Sequence, residues 1–300
     1  MLQSKSNLPN SSLFRFCRHG IEMRLSNIKI VLVEPTHPGN IGSVARAMKT
    51  MGLASLVLVN PKKFPHYEAS KLAAGAESVL ETATVVDSVA QAIGDATLVL
   101  GTSVRDREVA WPTKNPKDVA DAVFEHARIN ENANVAILFG RESSGLTNDE
   151  LDLCQMQIRI DANPEYSSLN LASAVQIISY ELRMRSLVRE SSTVRESSTG
   201  QEPSTEQEPS TEQEPSDAAT TGQPPELGTG AARRQRAATR AEFDGHLNHL
   251  QSTLEALDFI KVKPPTVLMR KLTRLYNKAD LSVEEIQILR GILSAVQQKL

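Results

Sequence analysis

The sequence predicts an α/β protein: a parallel sheet with helices on both faces, followed by a small C-terminal helical domain. Three observations predict it. Short β-rich apolar runs alternate with segments of helical spacing over residues 26–188, the composition then breaks into a Pro, Ser and Glu repeat, and helical periodicity returns from residue 239. Nearly continuous apolar strands separated by helices are the pattern of strands buried on both faces.

In chain order, residues 28–33 read as a strand, 40–51 as a helix and 55–59 as a second strand. Residues 84–86, 97–100, 135–139 and 156–160 read as further strands, with helices over 88–93, 116–128 and 171–187. Thr147 stands three residues before Glu150, the capping-box spacing for a short helix. Past residue 187, Glu190-Ser191-Ser192-Thr193 recurs as Glu196-Ser197-Ser198-Thr199, and a six-residue Glu-Pro-Ser repeat follows. Such a composition buries too little to offset its ordering entropy, so residues 189–238 are expected to be a disordered linker. In the tail, Phe243, Leu247, Leu250, Leu254 and Leu257 step by three and four, as do Leu268, Leu272 and Leu275. Ile286, Leu289 and Val296 belong to a third helix that Ser282 and Glu285 can cap. Three such helices make a small bundle over residues 239–300, able to pack on itself, on the main domain or on a second copy. Arg270, Lys271, Arg274 and Lys278 lie beside its middle pattern, where a polyanion would be met.

Three hundred residues are enough chain to bury a sizeable core without staples. Cys17 and Cys154 match no metal-ligand spacing, which points to a reduced, metal-free protein of the cytoplasm. No apolar run approaches the ~20 residues that a membrane span needs. Residues 1–25 lack a sustained apolar core and read as a disordered extension, with Met23 just ahead of the first strand. The net charge of −3 hides an asymmetry, since residues 189–230 carry nine acidic side chains against Arg189 and Arg195. That local −7 leaves the rest of the chain at +4, mildly basic and compatible with a polyanionic partner.

Three polar motifs, and the polar end of the fourth expected strand, sit where such a sheet would present a ligand. His37-Pro38-Gly39-Asn40-Ile41-Gly42 joins the first strand to the first helix, and Arg46 follows one turn beyond Gly42. Glycine lets a backbone approach a ligand closely, and a guanidinium offers planar, paired donors to a phosphate or a developing oxyanion. The same residues also read as an ordinary strand-to-helix turn with a surface arginine. Their Gly-x-x-Gly spacing is not the Gly-x-Gly-x-x-Gly of a dinucleotide site, which weighs against a nucleotide-dependent oxidoreductase. Thr102-Ser103-Val104-Arg105-Asp106-Arg107 and Gly140-Arg141-Glu142-Ser143-Ser144-Gly145 each follow a strand, at the carboxyl ends where open α/β sheets bind ligands. For the first, the plain alternative is a solvated charge cluster; for the second, a loop in which Glu142 caps the next turn. Last, a polar turn over residues 163–170 enters a helix at Leu171, and small hydroxyl residues at a helix mouth leave N–H groups free to grip a polar ligand.

With these motifs together, the chain resembles the SPOUT superfamily of S-adenosylmethionine-dependent RNA methyltransferases, and within it the tRNA (cytidine/uridine-2′-O-)-methyltransferases. The resemblance covers residues 26–187 closely and the tail from residue 240 more loosely. It implies a C-terminal trefoil knot in the sheet, a homodimer paired around that knot, tRNA as partner and S-adenosyl-L-methionine as cofactor. Carried over by motif, Thr102, Ser103, Val104, Gly140, Ile160, Ser167, Ser168 and Leu169 would line the cofactor. Arg46, Arg107 and Ser168 would be catalytic, and Asn40, Arg46, Arg107, Glu142 and Asn170 would hold the substrate. The implied target is cytidine or uridine at position 32 of the anticodon loop. The long acidic repeat departs from the shorter connection of that family. A non-catalytic RNA-binding protein on the same fold and a 2′-O-methyltransferase for another tRNA or rRNA position are the competing readings.

Overall fold

In the computed structural model the described residues are 25–104, 112–130, 132–198, 236–261 and 264–300. The expected extension over residues 1–25 falls outside them except for Leu25, and so does most of the expected linker. The chain runs β1 (Ile28–Val33), α1 (Pro38–Thr50), β2 (Ser55–Val59), α2 (Tyr67–Ala73), α3 (Glu77–Glu81), β3 (Thr84–Val86), α4 (Val89–Ile93) and β4 (Leu98–Thr102). It continues with β5 (Thr113–Lys114), α5 (Pro116–Ile129), β6 (Val135–Phe139), α6 (Asn148–Asp152), β7 (Met156–Ile158) and α7 (Leu171–Ser198). The tail adds α8 (Arg240–Ala256), α9 (Thr266–Asn277) and α10 (Val283–Gln297).

The strands form one sheet in the order β3-β2-β1-β6-β4-β7-β5, every neighbouring pair parallel. Alternation along each strand sends side chains to opposite faces. From β1, Ile28, Ile30 and Leu32 join a cluster under α1, α5 and α7, while Val31 and Val33 join a second cluster under α4 and α6. Val135, Ile137 and Phe139 of β6 go to the first face, and Ala136 and Leu138 to the second. The sheet is therefore apolar on both sides, which is why its strands read as continuous apolar runs.

Residues 84–86 and 135–139 coincide with strands as expected, and the helix starts at Pro116 and Leu171 fall where spacing put them. Several elements differ. The seventh strand stops at Ile158, and the fourth runs on to Thr102. Helices α2 and α3 escape periodicity because α2 buries only Ala69 and Ala73 while Tyr67 stays exposed, so no large apolar stripe marks it. Strand β5 is two residues long and exists only through its pairing with β7. Helix α7 reaches Ser198, ten residues into the expected linker, because no glycine or proline intervenes before Gly200.

The tail packs both on itself and on the main domain. Phe243, Leu247 and Ile286 form its small core, with Met269 and Tyr276 against it, whereas Leu275 is exposed. Capping boxes start α8 at Thr239 with Glu242 and α10 at Ser282 with Glu285. Residues ahead of α8, expected as linker, are tied in: Ala237 bridges Ser282, and Ala238 N–H donates to Leu281 O at 3.2 Å. Arg240 N–H donates to Ala96 O at 2.7 Å and Ala241 N–H to Gly94 O at 3.0 Å, which seats α8 beside α4.

Gly42 shows what α1 demands of its sequence. A Cβ there would stand 2.1 Å from the carbonyl oxygen of Ala69, so this glycine serves close packing of α2 and not approach to a ligand. Gly42→Ala should destabilise the chain by at least the usual overpacking cost of about 1–3 kcal/mol. Thermal unfolding followed by circular dichroism checks this, and an unchanged midpoint would mean that α2 moves aside freely.

Candidate active site

A cavity of about 520 Å³ opens at the carboxyl ends of β4, β6 and β7, against the mouths of α1 and α7. The end of β4 supplies Thr102, the residues just past it Ser103 and Val104, and the loop after β6 Gly140 through Leu146. Ile158 and Ile160 come from the end of β7, and Tyr166, Ser168, Leu169 and Asn170 from the turn into α7. His37 and Asn40 close the side nearest α1. A larger cavity, about 650 Å³, lies at the opposite ends of β4 and β7, between α5 and α9. None of the three motifs reaches it, and its His126 is already paired with Thr97 (2.9 Å) and Asn130 (3.1 Å). The motifs converge on the smaller cavity.

The three motifs are physically joined there. Both carboxylate oxygens of Glu142 accept Thr36 N–H at 3.2 and 3.1 Å, and the Thr36 hydroxyl adds a bond of 2.9 Å. His37 N–H donates at 3.2 Å and Asn40 Nδ2 at 3.0 Å to the same group. His37, the N-cap of α1, makes no side-chain cap of its own, so a carboxylate from a loop more than a hundred residues away does that work. Asn40 Oδ1 in turn accepts Asn170 Nδ2 at 3.1 Å, and Asn170 Oδ1 accepts Ala172 N–H at 2.9 Å to start α7. Burial would raise the Glu142 carboxyl, but the donors Asn40, its own backbone N–H and Thr36 outweigh that and hold it at about 2.

Glu142 therefore does not cap the turn after its own loop; Thr147 and Glu150 do that. At the cavity wall its carboxylate is already engaged by donors of its own chain. Arg141 is likewise committed. Its Nε donates to Glu34 at 2.8 Å and its two Nη atoms to Glu150 at 3.0 Å each, and these partners push the guanidinium pKa up against the effect of burial. Gly140 has no room for a side chain, since a Cβ would lie 2.1 Å from Gly145 C and 2.2 Å from Leu146 N. Gly145 holds φ at +70°, where glycine is favoured, and exchanges backbone bonds with Arg141. The β4 end is stitched down as well: Thr102 Oγ1 donates to Leu138 O at 3.0 Å, and Ser103 N–H to Ile158 O at 3.1 Å.

Of the residues expected at the site, Thr102, Ser103, Val104, Gly140, Ile160, Ser168, Leu169, Asn40, Glu142 and Asn170 line the cavity. Ser167 is half-buried beside it without forming its wall, and Arg107 lies outside the described residues. Arg46 is exposed on α1 and does not line the cavity of its own chain. His37 and Tyr166 line it although sequence reasoning gave them no role; each was visible only as a neighbour of a motif residue. Among the described residues no group of His, Cys, Asp and Glu is placed to hold a metal, and no helix is long and apolar enough to cross a membrane. Burial pushes the Cys154 thiol up to about 12, so it is inert near neutral pH.

A parallel, helix-covered sheet with a small-molecule cavity at its carboxyl ends is the arrangement of a ligand-binding α/β enzyme. Residues 27–180 match the model of the SpoU rRNA Methylase family, and residues 241–300 match that of the tRNA methyltransferase TrmJ, C-terminal domain. The chain belongs to the SpoU methylase family, in the branch that carries this C-terminal domain. It is 40% identical over 277 residues to the tRNA (cytidine/uridine/adenosine-2′-O-)-methyltransferase TrmJ of Pseudomonas aeruginosa, covering 91% of this chain and 95% of that one. To the tRNA (cytidine/uridine-2′-O-)-methyltransferase TrmJ of Pectobacterium atrosepticum it is 43% identical, covering 91% and 98%. The crystal structure of TrmJ from Z. mobilis superimposes with a TM-score of 0.67 at 30% identity, over 90% of this chain and 98% of that one.

The low carboxyl value at Glu142 sets a pH dependence. A carboxyl held below its ordinary value of about 4.5 stabilises the fold fully above that value and loses its contribution as pH falls toward about 2. Because the group is only partly buried, screening by solvent reduces the effect to roughly 1–2 kcal/mol. Urea titrations from pH 6 to pH 2.5 should show that loss, and Glu142→Gln should flatten it while lowering stability at pH 6. Parallel profiles for the two proteins would remove Glu142 from the join.

Proposed function

We propose that this chain transfers a methyl group from S-adenosyl-L-methionine to a ribose 2′-hydroxyl of tRNA, at cytidine or uridine 32 of the anticodon loop, as a cytoplasmic homodimer. The observation that carries the reading is the cavity itself: segments from all three motifs meet at one pocket, tied together through Glu142, Asn40 and Asn170. Its volume falls within the ~300–1,000 Å³ of small-molecule sites. Phe139, Leu146, Ile158, Ile160 and Leu171 give it apolar walls for a nucleoside, and Thr102, Ser103 and Ser168 supply polar edges. The named activities of the relatives that span nearly the whole chain support the same chemistry, and the knotted crossover belongs to this reading.

When bound, the cofactor supplies an electrophilic methyl on a sulfonium, and no metal is required. The residues must then orient the hydroxyl in line and stabilise an oxygen that becomes alkoxide-like. Arg46 suits that electrostatic task. A guanidinium stays protonated in proteins, so Arg46 is no general base; the proton leaves to solvent, to Ser168 or to an RNA phosphate. Because Arg46 projects outside the cavity of its own chain, pairing of two chains offers a route by which it meets a bound ribose. Arg107 is assigned beside it by motif alone.

Calorimetric titration with S-adenosylhomocysteine should give one site per chain, and mass spectrometry of tRNA nucleosides should show 2′-O-methylcytidine and 2′-O-methyluridine disappearing without the protein. A chain that binds tRNA but no S-adenosylhomocysteine would be a non-catalytic RNA-binding relative. Arg46→Ala should lower single-turnover methylation by roughly 10²–10³, the scale of one lost oxyanion donor, with cofactor affinity almost unchanged. Arg46→Lys should rescue poorly, since a point charge lacks the planar, paired geometry. Near-normal turnover by Arg46→Ala at saturating tRNA would return this residue to the plain surface arginines.

A further inference from the structure

Helix α6 is five residues long, too short to hold its place alone, and it is gripped from two sides. On one side Glu150 fastens Arg141 with two bonds of 3.0 Å while closing the Thr147 capping box at 2.7 Å. Arg141 opens the 140–146 loop that lines the cavity, and its backbone pairs with Gly145 across that loop. On the other side α6 meets the tail. Arg270 of α9 places Nε on Asp152 and Nη2 on Asp149 at 3.1 Å, one guanidinium spanning two of the helix's three carboxylates. Arg240 of α8, only 4% exposed, donates to Leu153 O at 3.0 Å just past the end of α6 and pairs with Asp244 at 2.6 Å. Between the two grips, Leu146 and Leu151 fit against Gly101 so closely that a Cβ there would stand 3.2 and 2.7 Å from them. The helix has no slack to take up a shift.

We infer that Arg270 is a positioning residue for the cofactor site: by bridging Asp149 and Asp152 it fixes α6, and through Glu150 and Arg141 it sets the loop that walls the cavity. The inference rests on the reading of that cavity as the cofactor site. It gives the tail a second task besides any contact with RNA, and it removes Arg270 from the phosphate-facing residues that helical spacing suggested. Arginine fits the position because its planar fork reaches two carboxylates at once, which a lysine cannot reproduce. Asp152 is partly buried, and burial pushes its carboxyl pKa up against the pull of Arg270, so the contact is shielded from water more than an open surface pair. Coupling through such a contiguous chain of ion pairs and packed side chains is typically modest and measurable.

The test uses the full chain and two readouts. Hydrogen exchange on the cofactor-free protein should show Arg270→Ala accelerating amides over residues 140–147 while β1 and β2 stay protected as in wild type. Calorimetry with S-adenosylhomocysteine, run well below each melting midpoint, should show Arg270→Ala binding roughly two- to thirty-fold more weakly. Arg270→Lys should recover part of the loss, and the charge exchange of Arg270→Asp with Asp152→Arg should recover more than either single change. Exchange that accelerates in the tail alone, with wild-type affinity for S-adenosylhomocysteine, overturns the positioning role. If wild type itself binds no S-adenosylhomocysteine, the reading of the cavity fails, while the exchange result still decides whether Arg270 reaches the loop.

Discussion

Everything at the site depends on one carboxylate. Glu142 gathers the N–H groups of Thr36 and His37, the Thr36 hydroxyl and the Asn40 amide, and so holds the β6 loop against the entrance of α1. Asn40 passes the connection to Asn170 and the start of α7. The entrance of α1 thereby shares one set of hydrogen bonds with two segments that lie more than a hundred residues further along the chain. An unpaired carboxylate would not survive partial burial at this join; five hydrogen bonds from four donors make it stable and hold its charge.

The charged residues divide by commitment. Arg141, with Glu34 and Glu150 around it, is spent on shaping the cavity loop, and Arg270 and Arg240 are spent on α6. Arg46 stands apart from these, exposed on α1. In a site meant to receive a polyanion, cations locked to carboxylates shape the walls, and those facing solvent remain to meet phosphate or developing negative charge. That division makes Arg141 architectural even though it sits within the best-defined motif.

The glycines divide in the same way. Gly42 admits α2 against α1, Gly101 admits Leu146 and Leu151, and Gly140 admits the returning strand of its own loop. Each is a place where two backbone segments or a backbone and a packed leucine come closer than any Cβ permits. Gly42 after β1 is thus a packing device, while His37 and Asn40 of the same segment face the cavity.

The sequence by itself determined the layered architecture, most strands, the tail and the set of polar segments at the site. Those features follow from period, capping spacing and apolar runs, all of which are local in the chain. Strand ends, by their change from apolar to polar, showed only where the polar segments lie; the family resemblance, carried over motif by motif, named ten of the residues that line the cavity. The tertiary structure alone decided what each polar residue does. Glu142 reads the same in sequence whether it caps its own turn, binds a substrate or seals a distant helix, and only the approach of Thr36 and Asn40 chooses among these. Helix α2, strand β5 and the reach of α9 to α6 were likewise invisible, since a helix that buries only alanines, a two-residue edge strand and an arginine bridging Asp149 and Asp152 owe their existence to partners far along the chain.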